Sequence, residues 1–167
     1  MLCCLSKKSM NTTMEDLEET FKGIGWDEAI PFQPDIKVGK VIKVYDGDSI
    51  TVAAKPYEKY PIYRFSVRLS GIDTPELRTK HENEKKHAII ARDALSQKIL
   101  NKIVVLKNVE SEKYGRVLAD VYLGEENICD WMVQNNYGVM YGGKTKVKPK
   151  EWFEDCLLYT SDAADES

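Results

Sequence analysis

Three short stretches of this 167-residue chain set charged groups at the ends of apolar, strand-like runs. They are Asp46-Gly47-Asp48-Ser49, then Arg68-Leu69-Ser70-Gly71-Ile72-Asp73-Thr74-Pro75-Glu76, then Glu112-Lys113-Tyr114-Gly115-Arg116. Taken singly, each has an ordinary structural reading: a hairpin turn, a helix cap, a tight turn before a strand. Taken as a set, they combine carboxylates and arginines in a way that suits phosphodiester chemistry. The transition state of a phosphodiester gathers negative charge on its non-bridging oxygens, so catalysis is mainly charge stabilisation and placement of water. Asp48 and Asp73 offer hard oxygen donors for a divalent cation. Arg68 and Arg116 offer planar forks that bond two phosphate oxygens and stay protonated at any working pH.

The elements that must position these groups are legible in the hydrophobic pattern. Met14, Leu17 and Phe21 predict a short acidic helix over Met14 to Lys22, ended by Gly23. Val41, Ile42, Val44 and Tyr45 form a first strand leading into Asp46-Gly47, a pair favoured in tight hairpins, and Ile50, Val52 and Ala53 continue as a second. Tyr63, Phe65, Val67 and Leu69 alternate with Arg64, Ser66, Arg68 and Ser70, the period of a half-buried strand. That period puts Arg68 on the polar face while Val67 and Leu69 enter the core. His87 to Leu100 reads as a helix with Ala88, Ala91, Leu95 and Ile99 on one face, and His81 and His87 read as part of a solvated charged loop. Ile103 to Leu106 and Val117 to Leu123 are further strands, and Ile128, Trp131 and Met132 suggest a last helix before Asn135-Asn136-Tyr137-Gly138. Three strands, a helix, two strands and a helix predict an α+β fold, a five-stranded OB-fold β-barrel with two or three helices.

The three charged stretches, in their order and spacing, resemble the signature of the staphylococcal nuclease (thermonuclease) family. The likeness covers about Val38 to Lys144, with Gly138 to Lys144 adding a weaker match of the kind seen in versions from large DNA viruses and protists. The resemblance implies a calcium-dependent nuclease that hydrolyses DNA or RNA and leaves 3′-phosphate products. It implies a Ca²⁺ site made by Asp48, Asp73, the backbone carbonyl of Thr74 and water. Glu76 then acts as general base or water-orienting group, and Arg68 and Arg116 flank the phosphate. By the same resemblance, Lys113, Tyr114 and Tyr141 hold a terminal phosphate and stack on a base, although Gly142-Gly143-Lys144-Thr145 departs from the usual pattern beside Tyr141. Ser49 stands where the family often has threonine and keeps the hydroxyl. The rival reading is a catalytically inactive copy that binds single-stranded nucleic acid or a protein partner. Such copies typically lack the metal carboxylates and arginines, which are all present here.

Net charge is −3, but it is unevenly spread. Residues 1–35 carry 3 Lys+Arg against 7 Asp+Glu, residues 36–150 carry 21 against 14, and residues 151–167 carry none against 6. A basic body between acidic flanks suits a polyanionic substrate. The domain reading is a flexible tail with a possible short helix over 1–35 and the barrel over 36–155. Residues 156–167 resemble the in-frame translation of a transposase-type sequencing adapter, and Lys150 to Asp155 would then begin a truncated helix. The four cysteines show no disulfide or zinc spacing. Cys3 and Cys4, followed by Lys7 and Lys8, resemble the doubly palmitoylated start of neuronal growth-associated protein, which implies peripheral attachment to an anionic membrane; the alternative is two free cysteines in a disordered tail, or translation from Met10 or Met14. Leu2 in the second position excludes myristoylation. No secretory signal and no membrane span is read from the sequence, so an intracellular monomer is expected.

Overall fold

A computed structural model describes residues 13–112, 115–143 and 148–153. The chain divides into two compact units, Met1–Phe32 and Gln33–Ser167. In the first unit, helix α1 spans Met14–Phe21. Thr13 caps it: its hydroxyl accepts from the Asp16 N–H, and Asp16 returns a bond to the Thr13 N–H, satisfying two of the donors a helix start leaves open.

The second unit is built on a closed five-stranded barrel. Strands β1 (Val38–Asp46), β2 (Ser49–Ala54) and β3 (Tyr63–Leu69) form an antiparallel meander, and β5 (Ile103–Ser111) and β6 (Val117–Leu123) form a hairpin on the other side of β1. A parallel pairing of β3 with β6, Val67↔Val117 through Leu69↔Ala119, closes the barrel. Two-residue strands β4 (Ile72–Asp73) and β8 (Val139–Met140) make a separate small ladder, and β7 (Glu126–Asn127) pairs antiparallel with the end of β6. Ile50, Val52, Val67, Leu69, Val104, Val117, Ala119 and Val121 fill the interior, as alternation requires of a small barrel. Helix α3 (Ile128–Gln134) is capped by Asn127, whose side-chain oxygen accepts from the N–H groups of Cys129 and Asp130. Asn136 at φ 59° then turns the chain away after it.

Four expectations need correction. Helix α2 spans Glu82–Ile99, beginning well before His87, so His81 is its N-cap and His87 is helical, not looped. The buried stripe of α2 runs Glu84, Ala88, Ala91, Leu95, Ile99; its first position carries a carboxylate, so the apolar period shows only from Ala88. Strand β5 continues past Leu106 to Ser111 because a bulge between Lys107 and Glu110, with Asn108 at φ 50°, absorbs an irregular polar stretch. The β1–β2 turn residues are Gly47 and Asp48, since Asp46 pairs with Ser49, and Gly47 is not at positive φ. Glycine is required there for close approach. A Cβ on Gly47 would lie 2.9 Å from Thr74 Oγ1 and 3.1 Å from Ala91 Cβ.

Gly47→Ala should therefore wedge the turn away from α2 and destabilise the barrel by roughly 1–3 kcal/mol. Urea denaturation checks this, and an unchanged midpoint would show that Thr74 and Ala91 can yield at no cost. The segment at Lys150–Trp152 is a 3-10 turn, with Trp152 buried. No helix among the described residues is long and apolar enough to cross a membrane. Cys3, Cys4, Lys113, Tyr114 and residues 156–167 lie outside the described residues.

Candidate active site

The turn between β1 and β2, the end of β3, strand β4 and the start of β6 converge at one rim of the barrel. Register explains why. Ser49 pairs with Arg68 across β2–β3, and Arg68 pairs with Leu118 across β3–β6, so Arg68 lies between the β1–β2 turn and the residue preceding β6. The Leu69 N–H donates to the Asp48 carbonyl at 2.8 Å and the Ser70 N–H to the Ala119 carbonyl at 3.0 Å, locking that arrangement. Asp73 is held by pairing with Val139, where a Cβ on Gly138 would come within 2.9 Å of the Asp73 carbonyl oxygen.

A polar cavity of about 220 Å³ results, lined by Asp46, Asp48, Ser49, Arg68, Asp73, Thr74, Pro75, Glu76 and Arg116. Asp48, Asp73 and Thr74 are buried, and Glu76 is exposed at the mouth. The Arg68 guanidinium lies between the two buried carboxylates, 2.7 Å from Asp48 Oδ2 and 3.4 Å from Asp73 Oδ1, and also donates to the Ile72 carbonyl at 3.4 Å. Ser49 donates its hydroxyl to Asp48 Oδ1 at 2.9 Å, and the Asp48 N–H reaches Asp46 Oδ1 at 3.3 Å. Arg116 is oriented by Glu112, to which it donates at 3.0 Å.

Burial pushes the Asp48 carboxyl up from 3.8 to about 7 against the pull of Arg68, with Asp46 adding to the rise and Ser49 opposing it. That shift shows one guanidinium under-compensating a crowded acidic site. Four carboxylates (Asp46, Asp48, Asp73, Glu76) face two guanidiniums (Arg68, Arg116) in the cavity, a deficit of positive charge that a dication would fill. All the side-chain donors besides arginine are oxygens, the donor type of hard cations. Among the described residues, no group of three or more His, Cys, Asp or Glu side chains could hold a metal by itself. A cation at Asp48 and Asp73 would therefore need other oxygens, such as backbone carbonyl or water, to complete its shell.

Six of the residues singled out from sequence thus line one cavity: Asp48, Arg68, Asp73, Thr74, Glu76 and Arg116. Tyr141 does not line it. Its half-buried ring lies beyond β8, where the Tyr141 N–H donates to the Gly71 carbonyl at 2.8 Å. Three participants were missed. Asp46 was visible only as a turn residue, Glu112 only as the start of a turn, and Glu84 fell within the stretch read as a solvated charged loop. Glu84 is fully buried, accepts from the Glu76 N–H at 3.4 Å and from the Thr79 hydroxyl, and pairs with Lys148 at 2.6 Å.

Comparison with known proteins gives the chain its family. The sequence model of the staphylococcal nuclease homologue family matches residues 66–166, more than half of the chain. A probable endonuclease of Candida glabrata is 33% identical over 84 residues, covering 48% of this chain and 33% of that protein. A thermonuclease of Staphylococcus hyicus is 34% identical over 89 residues, covering 52% of this chain and 49% of that protein. A probable endonuclease of Schizosaccharomyces pombe is 28% identical over 144 residues, covering 72% of this chain and 62% of that protein. The chain thus spans from 33% to 62% of the length of these relatives. With the barrel, the cavity and the family match in agreement, the chain belongs to the staphylococcal nuclease homologue family.

Proposed function

We propose that this chain is a calcium-dependent nuclease that hydrolyses phosphodiester bonds of DNA or RNA at the cavity on the barrel rim. One observation carries the reading: a single cavity gathers two buried carboxylates, an exposed carboxylate at its mouth and two arginines. The nuclease names borne by relatives from bacteria and yeasts support it, as does the excess of Lys and Arg over residues 36–150.

Asp48 and Asp73, with the Thr74 carbonyl, would hold the calcium. Bound there, the ion supplies positive charge to a phosphate oxygen and lowers the cost of forming a hydroxide nucleophile. Arg68 and Arg116 bind the non-bridging oxygens and strengthen those bonds as charge develops. Glu76, exposed at the mouth, accepts a proton from the attacking water or orients it. Water adds to phosphorus, the bond to the 5′-oxygen breaks, that oxygen takes a proton from solvent and leaves as a hydroxyl, and the phosphate stays on the 3′ side.

Plasmid DNA and a single-stranded RNA, each incubated with protein in calcium or in chelator, test this directly. Degradation is expected only with calcium, and not with Asp48→Ala. The new 5′ ends should be hydroxyls that polynucleotide kinase labels without prior dephosphorylation. Cleavage surviving in chelator and in the variant would assign the activity to something other than this cavity.

A further inference from the structure

Glu84 is a fully buried carboxylate with no part in the chemistry above, yet it sits one hydrogen bond from it. The loop that carries Glu76 runs without regular structure from Thr74 to the start of α2. A catalytic side chain on such a loop is only as well placed as the backbone beneath it. Glu84, on the first turn of α2, faces back toward this loop. Its Oε1 accepts from the Glu76 N–H at 3.4 Å, and its Oε2 accepts from the Thr79 hydroxyl.

The third partner comes from far along the chain. Lys148 Nζ lies 2.6 Å from Glu84 Oε1, with the Glu84 side chain 1% exposed and the lysine 33%. The same helix start holds the rest of that segment. Asn83 donates to the Phe153 carbonyl at 3.1 Å, and the His81 and Phe153 rings meet edge to face at 5.2 Å. Burial raises the Glu84 carboxyl, but Lys148, Thr79 and the Glu76 N–H outweigh it and hold it below the usual range. A carboxylate so placed is ionised, and it retains all three bonds only while the loop keeps this shape.

We infer that Glu84 is a positioning residue for Glu76, tying the loop that presents the catalytic carboxylate both to α2 and, through Lys148, to the segment at 148–153. The inference rests on the proposed role of Glu76. The physical reason to expect an effect on rate is that small misplacements of a catalytic group have large costs, up to about 100-fold for a shift near 1 Å. The reason to expect an effect on turnover more than binding is that Arg68 is carried by β3 and Arg116 by the residue before β6, so the phosphate donors are not held by this loop.

Two measurements on the full chain separate positioning from mere structural support. In single-turnover cleavage of a labelled oligonucleotide with calcium, Glu84→Ala should lower the rate of the chemical step about 10-fold or more with substrate affinity nearly unchanged. Glu84→Gln should recover most of the loss, since its Oε1 still accepts from the Glu76 N–H and its amide can donate to Thr79. Amide hydrogen exchange supplies a readout independent of activity: exchange at Glu76 should quicken several-fold in Glu84→Ala and not in Glu84→Gln. Should Glu84→Ala fail to fold, Thr79→Val removes one partner without touching the carboxylate and should give the same pattern more weakly. A wild-type chemical rate in folded Glu84→Ala, or equal losses in the two Glu84 variants, would overturn the inference. An inactive wild type would count against the proposed function, whereas unchanged exchange at Glu76 in Glu84→Ala would count against this inference alone.

Discussion

Arg68→Ala should lower the single-turnover cleavage rate by about 10²–10³-fold, the cost of losing one preorganised donor to a developing oxyanion. The structure gives this arginine one task, and the proposed function adds a second. Before substrate enters, its guanidinium lies between the buried Asp48 and Asp73 carboxylates. Under the proposed function, a cation held by Asp48 and Asp73 would supply the neutralising charge and leave the planar fork free to bond phosphate oxygens. Arg68→Lys should restore little, remaining at least about 10-fold below wild type, because a point charge cannot bridge two oxygens at fixed spacing. The first task predicts a second readout. Removing the cation from a buried group leaves uncompensated charge at a cost of about 3–5 kcal/mol. Thermal unfolding in chelator should therefore show Arg68→Ala markedly less stable than wild type, with calcium restoring much of the difference. A variant with near wild-type cleavage would remove Arg68 from the phosphate site and leave it a purely structural ion pair.

How much of this could be read from the chain depends on whether a residue's role is local. Strand β3 was legible because Val67 and Leu69 alternate with Ser66 and Arg68, and the structure puts the first pair in the core and Arg68 in the cavity. The barrel was expected as a fold, but which strands close it was not legible, since the parallel pairing of β3 with β6 leaves no mark on either strand. The start of α2 was hidden because position 84 of its buried stripe is Glu, held there by Lys148, 64 residues away, together with Thr79 and the Glu76 N–H. Gly47 was read as a turn former, whereas what demands glycine is the contact with Thr74 and Ala91 on other elements. Among the site residues, Asp48, Asp73, Arg68 and Arg116 were legible because charged types at strand ends make a chemical set. Asp46 and Glu112 act only through tertiary neighbours, the first by crowding Asp48 and the second by orienting Arg116.

Asp48→Asn should abolish calcium-dependent cleavage and at the same time make the calcium-free protein more stable at alkaline pH. The Asp48 carboxyl is raised from 3.8 to about 7, chiefly by burial. The folded state therefore holds that proton more tightly than the unfolded chain does. Between about pH 4 and pH 7 the unfolded chain has released the proton and the folded one has not, so wild-type stability falls as the pH rises through this window. Above pH 7 the full penalty of a buried, under-compensated carboxylate persists. A rise of about three pH units corresponds to at most about 4 kcal/mol. Asparagine cannot ionise and carries no such penalty. Urea denaturation in chelator should accordingly favour Asp48→Asn over wild type by on the order of 2–4 kcal/mol more at pH 8 than at pH 4. Under the proposed function calcium should reverse the order at pH 8, because an ion bound to the ionised wild type would stabilise the fold by mass action while leaving the variant unmoved. A stability difference independent of pH would mean that Asp48 is ionised throughout, its charge satisfied by Arg68 alone. In that case the cavity would have no electrostatic need of a dication, and the reason for placing calcium between Asp48 and Asp73 would be gone.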